Sequence, residues 1–150
     1  MRSTIKEADI NDLDNLVGLL KDMSDELKEL SFDEEITNKS IACSFTEGVH
    51  WFLFLDENKN QFGTCYLQSV HNYWRAEKRY YLGGFYIAPG HRGKGYFREI
   101  TSLLKDWVSN KGGVQIYTHI HKENEKSMAA FKSSGMEEID YKLFANHWGD

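Results

Sequence analysis

Four stretches of the chain carry apolar side chains at helical spacing, three and four residues apart. The first begins after Asp9, an N-cap candidate, and extends to about residue 27. The second covers about 33–46, the third 95–110 and the fourth 123–134. The pattern therefore predicts four helices, of which the third has the clearest apolar stripe.

Between these helices, short apolar or alternating runs predict strands. A polar turn at 57–60 joins two of them into a hairpin, and 71–78 is predicted as a loop. Gly83 and Gly84 interrupt the fourth strand, which indicates a bulge or a close backbone approach. The predicted strands are 3–7, 50–56, 61–70, 79–88, 114–121 and 136–145.

The element order β-α-α-β-β-β-α-β-α-β predicts the fold class. It corresponds to an α/β (α+β) layout in which four helices surround one mixed, mostly antiparallel sheet of about six strands. A length of 150 residues and a hydrophobic content of 41% fit one domain, residues 1–150.

Charge and composition exclude some classes of function. The net charge is −5, and residues 1–35 carry eleven acidic and four basic side chains, a net of −7. Nucleic-acid binding is disfavoured, because it needs a basic face. The acidic segment fits either a solvated helix face or a field that attracts a cationic substrate.

The sequence shows no signal peptide and no run long enough to cross a membrane, so we expect a cytoplasmic protein without membrane partners. Cys43 and Cys65 form no metal or redox motif. A disulfide between them is the alternative, but in a reducing cytosol we expect buried free thiols and no metal site.

The segment YIAPGHRGKGYF, residues 86–97, runs from a strand through three glycines and a basic cluster into a helix. The first N–H groups of a helix have no internal acceptor, and glycines allow a ligand to approach them, so this geometry favours a phosphate. The Walker motif is excluded because Lys94 is not followed by Ser or Thr. The dinucleotide motif is excluded because position 98 is Arg98 instead of glycine. A tight turn with a basic surface is the alternative.

Two motifs resemble those of the GNAT superfamily, the acyl-CoA-dependent N-acetyltransferases. RGKGYF, residues 92–97, is similar to that family's Arg/Gln-x-x-Gly-x-Gly/Ala cofactor loop. NEKSMAAFKSSGM, residues 124–136, is similar to its following helix motif, at Asn124, Ser127, Phe131, Gly135 and Met136. The element order also matches, so the resemblance covers the whole chain.

This resemblance implies that acetyl-CoA, as co-substrate, lies where the fourth and fifth strands splay apart. Backbone groups of the fourth strand would pair with pantetheine, loop N–H groups would hold the pyrophosphate, and the last helix would border the cofactor. The implied cofactor residues are Phe85, Tyr86, Ile87, Arg92, Gly93, Lys94, Gly95, Tyr96, Phe97, Asn124, Ser127 and Phe131.

Three positions depart from the family pattern. Phe97 replaces the loop's last Gly or Ala, so its side chain must turn away from the phosphates. Gly83 stands where the polyamine-acetylating branch has a carboxylate, and Phe131 where many members have an acidic Tyr. The usual base and acid are therefore absent from their usual places.

Other residues must then move the protons. His119 could act as a base, because imidazole titrates near neutral pH, although packing of His119 and His121 on a strand is an equal alternative. Glu77 could act through a water molecule. The candidate donors are Tyr81, Tyr117 and Tyr141.

The resemblance also predicts where the acceptor binds. The implied acceptor groove combines acidic residues of the first two helices with an aromatic pair, which suits a small cationic amine. These residues are Asp22, Asp25, Glu26, Glu29, 33–35, Tyr73 and Trp74. The aromatic pair is equally compatible with a homodimer contact. The expected function is transfer of acetyl from acetyl-CoA to a primary amine of a small molecule. The alternatives are a peptide or protein N-acetyltransferase and a non-catalytic acyl-CoA-binding module.

Overall fold

The computed structural model describes residues 2–27 and 31–149. Its helices are α1 (Leu13–Glu26), α2 (Glu34–Ser44), α3 (Tyr96–Asn110) and α4 (Glu125–Ser133). Its strands are β1 (Thr4–Glu7), β2 (Val49–Leu55), β3 (Gln61–Asn72), β4 (Glu77–Ile87) and β5 (Gly113–Tyr117). Single 3-10 turns occur at Ile10–Asp12 and Pro89–His91.

The five strands form one sheet in the order β1-β2-β3-β4-β5. The first three pairings are antiparallel, and β4 pairs with β5 in parallel. Because a parallel pair needs a crossover, α3 connects the end of β4 to the start of β5. This is the mixed, mostly antiparallel sheet with four helices that the sequence predicts.

Helices cover both faces of the sheet, and each face has its own core. On one face, Phe52, Leu67 and Leu82 pack with the apolar stripe of α3, including Ile100 and Leu104. On the other face, Leu53 and Trp51 pack with α1 and α2. The stripe of α3 is therefore buried as its periodicity predicts, and the sheet is fixed between two layers.

Polar side chains begin three of the helical segments as their sequence positions predict. Asp9 and Asp12 form a capping box before α1, and the Asp33 carboxylate accepts from the N–H of Ile36 at the start of α2. The Asn124 side chain accepts from the N–H of Ser127 at the start of α4, over 3.1 Å.

The segment predicted as a loop at 71–78 is instead the end of a hairpin. The β3–β4 ladder continues to the pair Asn72–Glu77, and only four residues form the turn. The Asn72 side chain accepts from the N–H of Trp74 in this turn. The strand ends project polar side chains into solvent, and hydropathy does not distinguish such a ribbon from a loop.

The last predicted strands are also corrected. The fifth strand ends at Tyr117 rather than at residue 121, and the predicted sixth strand at 136–145 is not formed in the described chain. Residues such as Ile139, Leu143 and Phe144 are exposed there. Alternation of apolar residues yields a strand only when a neighbouring strand pairs with it, and none does so at 136–145.

Candidate active site

A cleft opens where β4 and β5 stop pairing. Tyr81 and Tyr117 form the last pair, and the Thr118 hydroxyl then donates to the carbonyl oxygen of Leu82 over 2.7 Å. In the chain that the structure describes, β4 continues from there to Ile87 without a partner on this edge. The space beside this edge is a cavity of about 670 Å³. The predicted splay between the fourth and fifth strands is therefore present.

A bulge in β4 accompanies the opening. The β3–β4 register steps from Thr64–Tyr86 to Tyr66–Gly83, so that two residues of β4, Gly84 among them, stand opposite one of β3. Gly84 has a φ of +59°, in the left-handed region that favours glycine. The bulge predicted from the paired glycines is confirmed, and bulges increase local strand twist.

Tyr66 on β3 covers Gly83. A Cβ atom on Gly83 would lie only 2.2 Å from Cζ of the Tyr66 ring, so the ring fills the space that a side chain at this position would need. Burial raises the pKa of the Tyr66 hydroxyl. This part of the sheet face therefore carries a neutral phenol where the polyamine-acetylating branch carries a carboxylate.

The glycine-rich loop leads from β4 into α3. Gly93 and Gly95 have φ values of +71° and +88°, so the loop uses glycine where other residues would be strained. The N–H of Glu99 donates to the carbonyl oxygen of Gly95, and the N–H groups before it have no acceptor within the helix. This turn of backbone at the positive end of the α3 dipole borders the cavity.

The β2–β3 turn anchors the loop from outside the cavity. His91 Nε2 lies 2.9 Å from Oδ2 of Asp56, and its ring stacks on Phe62 at a centroid distance of 4.6 Å. The hydrogen bond to His91 holds the pKa of Asp56 below its ordinary value. The Tyr96 hydroxyl donates to Glu57 over 2.6 Å. Conformational freedom of the loop is therefore limited before any ligand binds.

Arg92 links the loop to β4 and to α1. Its Nε donates to the carbonyl oxygen of Ile87 over 2.8 Å, and its two terminal nitrogens contact both carboxylate oxygens of Glu26, one of them at 2.8 Å. The N–H of Ala88 donates to Phe62 on β3, so the Ile87 carbonyl of the same planar peptide points the other way, into the cleft. The guanidinium group therefore lies inside the cleft.

Three phenylalanines pack together on the α3–α4 side of the cavity. The centroid distances are 5.1 Å for Phe85–Phe97, 5.6 Å for Phe85–Phe131 and 5.0 Å for Phe97–Phe131. Phe97 thus turns toward the core, as its place in the loop requires. Phe131 therefore presents an apolar ring at the cavity, in contact with two other phenylalanines.

Polar groups line the cavity on the β5 side. The ring of His119 lies 5.1 Å from that of Tyr81, and the Tyr81 ring lies 5.5 Å from that of Tyr117. Burial, and then the neighbouring Tyr117 hydroxyl, raise the pKa of Tyr81. Tyr81 is therefore a protonated donor at neutral pH, beside a histidine that is exposed within the same cavity.

Most of the predicted site residues meet at this cavity. Of the twelve predicted cofactor residues, ten line it, and Lys94 and Tyr96 do not. Tyr96 is instead buried under the loop, with its ring 4.8 Å from that of Phe62. The ten lining residues are Phe85, Tyr86, Ile87, Arg92, Gly93, Gly95, Phe97, Asn124, Ser127 and Phe131.

Several other predicted residues lie away from the cavity. Tyr141 is 81% exposed after α4, and Tyr73 and Trp74 are 87% and 98% exposed at the hairpin tip. Asp25 is exposed on α1 and is not part of the cavity lining. The prediction for Glu29 lies outside the described residues. Cys65 is a buried free thiol, whereas Cys43 is free but exposed, which corrects its predicted burial.

The cavity also includes residues outside the predicted cofactor set. Glu26 and Met23 come from the last turns of α1, Thr118 follows β5, and Lys126 lies at the start of α4. The acidic bias of the first 35 residues pointed to α1 in general. What distinguishes Glu26 from the other acidic residues of α1 is its contact with Arg92. The two residues are 66 positions apart, so local sequence does not reveal this contact.

Residues 2–27 and 31–149 contain no group of three or more His, Cys, Asp or Glu side chains placed to hold a metal ion. None of their helices has the length and apolar character required to cross a bilayer.

The fold and the site together define a class: an α/β protein with a glycine-rich loop at a helix N-terminus beside an open strand edge. A family model for the acetyltransferase (GNAT) family matches residues 16–136, so the chain belongs to the GNAT acetyltransferase family. A search of curated protein sequences found no match.

Solved structures share the fold. One, described as a possible acetyltransferase from Clostridium difficile 630, superposes with a TM-score of 0.86 at 18% identity over 99% of both chains. A predicted acetyltransferase with acetyl-CoA from Clostridium acetobutylicum gives 0.76 at 18% identity over 96% of both chains. An aminoglycoside acetyltransferase from an uncultured soil metagenomic sample gives 0.74 at 12% identity, over 99% of this chain and 100% of the other. At these identities the likeness concerns the fold.

Proposed function

We propose that this chain transfers an acetyl group from acetyl-CoA directly to a primary amine held in the same cleft. One observation carries the proposal. The free edge of β4, the glycine loop and the start of α4 border one cavity of about 670 Å³ in a chain of the GNAT family. A strand edge can pair with an extended pantetheine arm, and the loop N–H groups can bind a pyrophosphate.

The residues of the cavity suit the two ends of acetyl-CoA differently. Gly93 and Gly95 expose backbone N–H groups for phosphates, and Phe85 and Phe131 offer apolar surface to the arm. Asn124 already accepts from the N–H of Ser127, so it orders the α4 end of the cavity. A solved structure of the same fold is described as containing acetyl-CoA, which supports this choice of donor.

The proposed reaction needs one proton removed and one supplied. The amine nitrogen attacks the thioester carbonyl carbon, the carbon–sulfur bond then breaks, and the products are an amide and a CoA thiol. His119, when neutral, accepts the proton that the amine loses. Tyr81 remains protonated because its pKa is raised, and it donates to the developing oxyanion or to the leaving sulfur.

We propose a small molecule as the acceptor. The last turns of α1 contribute Met23 and Glu26 to the cavity, and the charge of residues 1–35 favours cations nearby. The name of one structural neighbour, an aminoglycoside acetyltransferase, is compatible with such an acceptor. Tyr73, Trp74 and Asp25 lie outside the cavity lining and do not support it.

A second candidate is a non-catalytic acyl-CoA-binding module. The observation in its favour is that Tyr66 fills the space at Gly83 and that Phe131 packs among apolar rings. Neither position can then supply the acid or base found there in relatives. In this case Tyr81 and His119 would merely line the cofactor site.

Acceptor-dependent release of CoA tests the proposal. Acetyl-CoA is incubated with a panel of primary amines and with peptides, and CoA is measured by chromatography, because the exposed Cys43 would react with thiol reagents. We expect release with at least one small amine and none without acceptor. CoA binding without release for any acceptor would favour the binding module, release with peptides alone would favour protein acetylation, and absence of CoA binding would contradict all three.

A further inference from the structure

The Arg92 side chain already holds an anion in the cavity. Its terminal nitrogens form a two-pronged contact with the Glu26 carboxylate, with both side chains 36% exposed. The hydrogen bonds from Arg92 hold the pKa of Glu26 below its usual range. A hydrogen bond from the Tyr86 hydroxyl and the charge of Lys126 shift this pKa in the same direction. Glu26 is therefore an ionised carboxylate paired with Arg92 on the loop, in the field of Lys126 on α4.

Among the cavity-lining residues that the structure describes, Glu26 carries the only carboxylate, whereas Arg92, Arg98 and Lys126 are cationic. The planar guanidinium fork fits a carboxylate and a phosphate in the same bidentate manner. Nε of Arg92 is occupied by the Ile87 carbonyl, and the terminal nitrogens are the donors that can change partner.

We propose that Glu26 is an internal competitor of the cofactor, an anion that occupies the Arg92 fork until a phosphate group of CoA replaces it. The proposal rests on the proposed function, since it requires that the cavity bind CoA. Exchange leaves the Ile87–Arg92 hydrogen bond intact and brings a more highly charged anion between Arg92 and Lys126. Glu26 then lowers affinity for CoA rather than supporting it.

Calorimetric titration of CoA into the wild type and Glu26→Gln tests this. A partly exposed ion pair contributes little free energy. We therefore expect Glu26→Gln to tighten CoA binding by only about two- to fivefold at low ionic strength. Asp22→Asn is the matched control, because it removes the same charge one turn earlier on α1, from a side chain outside the cavity lining. It should leave the affinity within error.

Dephospho-CoA identifies which phosphate takes the fork. If Glu26→Gln also binds dephospho-CoA more tightly than wild type does, the pyrophosphate is the group that contacts Arg92. If the increase in affinity is seen only with CoA, the 3′-phosphate is that group. Thermal unfolding of each variant checks its fold, and Glu26→Asp, which keeps the charge but shortens its reach, should give a smaller gain.

Two results would overturn the proposal. Weaker CoA binding in Glu26→Gln would show that Glu26 supports Arg92 instead of competing for it. An equal gain in Asp22→Asn would show only a general effect of net charge. Failure of the wild type itself to bind CoA would instead contradict the proposed function, so the two failures are distinguishable.

Discussion

At the scale of single residues, two positions of the site carry no group that can exchange a proton, and two nearby positions do carry one. Gly83 and Phe131 cannot exchange protons, whereas Tyr81 and His119 lie together at the end of the β4–β5 ladder. The raised pKa of Tyr81 makes it a donor, and a neutral imidazole is an acceptor. We therefore propose Tyr81 as the proton donor and His119 as the proton acceptor.

Removing the Tyr81 hydroxyl tests the donor. In Tyr81→Phe we expect kcat to fall by about 100-fold while the KM for acetyl-CoA changes little, because the ring remains and only proton donation is lost. Steady-state kinetics measures both. The same substitution at Tyr141, which is 81% exposed, should leave kcat close to the wild-type value. A larger loss in Tyr141→Phe than in Tyr81→Phe would reverse the assignment.

Replacement of His119 tests the acceptor. His119→Ala should lower kcat by about 100-fold, and the remaining rate should rise with pH as free amine becomes available without a base. Rate profiles between about pH 6 and 9 measure this. His71→Ala, a change at an exposed histidine on β3 away from the cavity, is the control. Full activity of His119→Ala across this range would exclude His119 as the base.

At the scale of elements, close packing shapes the cleft as much as chemistry does. The β4 bulge, the Tyr66 ring over Gly83 and the anchored glycine loop all fix the unpaired edge of β4. The order of elements, the bulge and the loop could be predicted from the sequence, because each depends on local spacing. The hairpin end at 71–78 is missed because its exposed polar residues resemble a loop in hydropathy, although its strands pair locally. A strand at 136–145 would need a distant partner strand, which local spacing does not encode.

Gly83→Ala tests the packing of Tyr66 against β4. The added methyl group would lie within 2.2 Å of the Tyr66 ring, so we expect a loss of about 1–3 kcal/mol in the free energy of unfolding, measured with urea. Gly90→Ala is the control, since nothing lies within 4 Å of its added methyl group. An unchanged stability of Gly83→Ala would mean that Tyr66 moves aside freely.

The N-terminus is tied to α3 through Glu99. Burial raises the pKa of this carboxyl, but hydrogen bonds from the Ser3 N–H and hydroxyl and from Arg2 outweigh it and lower the pKa to about 2. Because the folded-state pKa lies below the ordinary 4.5, the stabilisation is present at neutral pH and is lost as pH falls from 4.5 toward 2.

Glu99→Gln should therefore cost about 1.5–3 kcal/mol at pH 7, the usual contribution of hydrogen bonds to a charged group. Urea unfolding at pH 7 and at about pH 4 measures the difference from wild type, which should narrow at the lower pH. Glu35→Gln, in an exposed pair with Lys39, should have little effect at either pH. A pH-independent cost at Glu99 would contradict the ionised contact.

At the scale of the whole molecule, the fold brings together residues from both halves of the chain. Of the ten predicted cofactor residues at the cavity, seven lie in the two motifs, and the other three lie at the end of β4. Glu26 and Thr118 join them through tertiary contacts that no motif contains. The predicted acceptor residues Tyr73 and Trp74 are exposed at the surface of the hairpin tip and do not line the cavity, so their role stays a prediction. A homodimer through that surface stays a prediction.

Every proposal above depends on acetyl-CoA binding beside the unpaired edge of β4. Hydrogen–deuterium exchange with and without CoA tests this directly, because paired or covered amides exchange more slowly. We predict slower exchange in peptides covering 82–87, 92–97 and 124–127, with little change in β1, β2 and α2. Binding of CoA with protection elsewhere, or with none in 82–87 and 92–97, would contradict the assignment of this cleft.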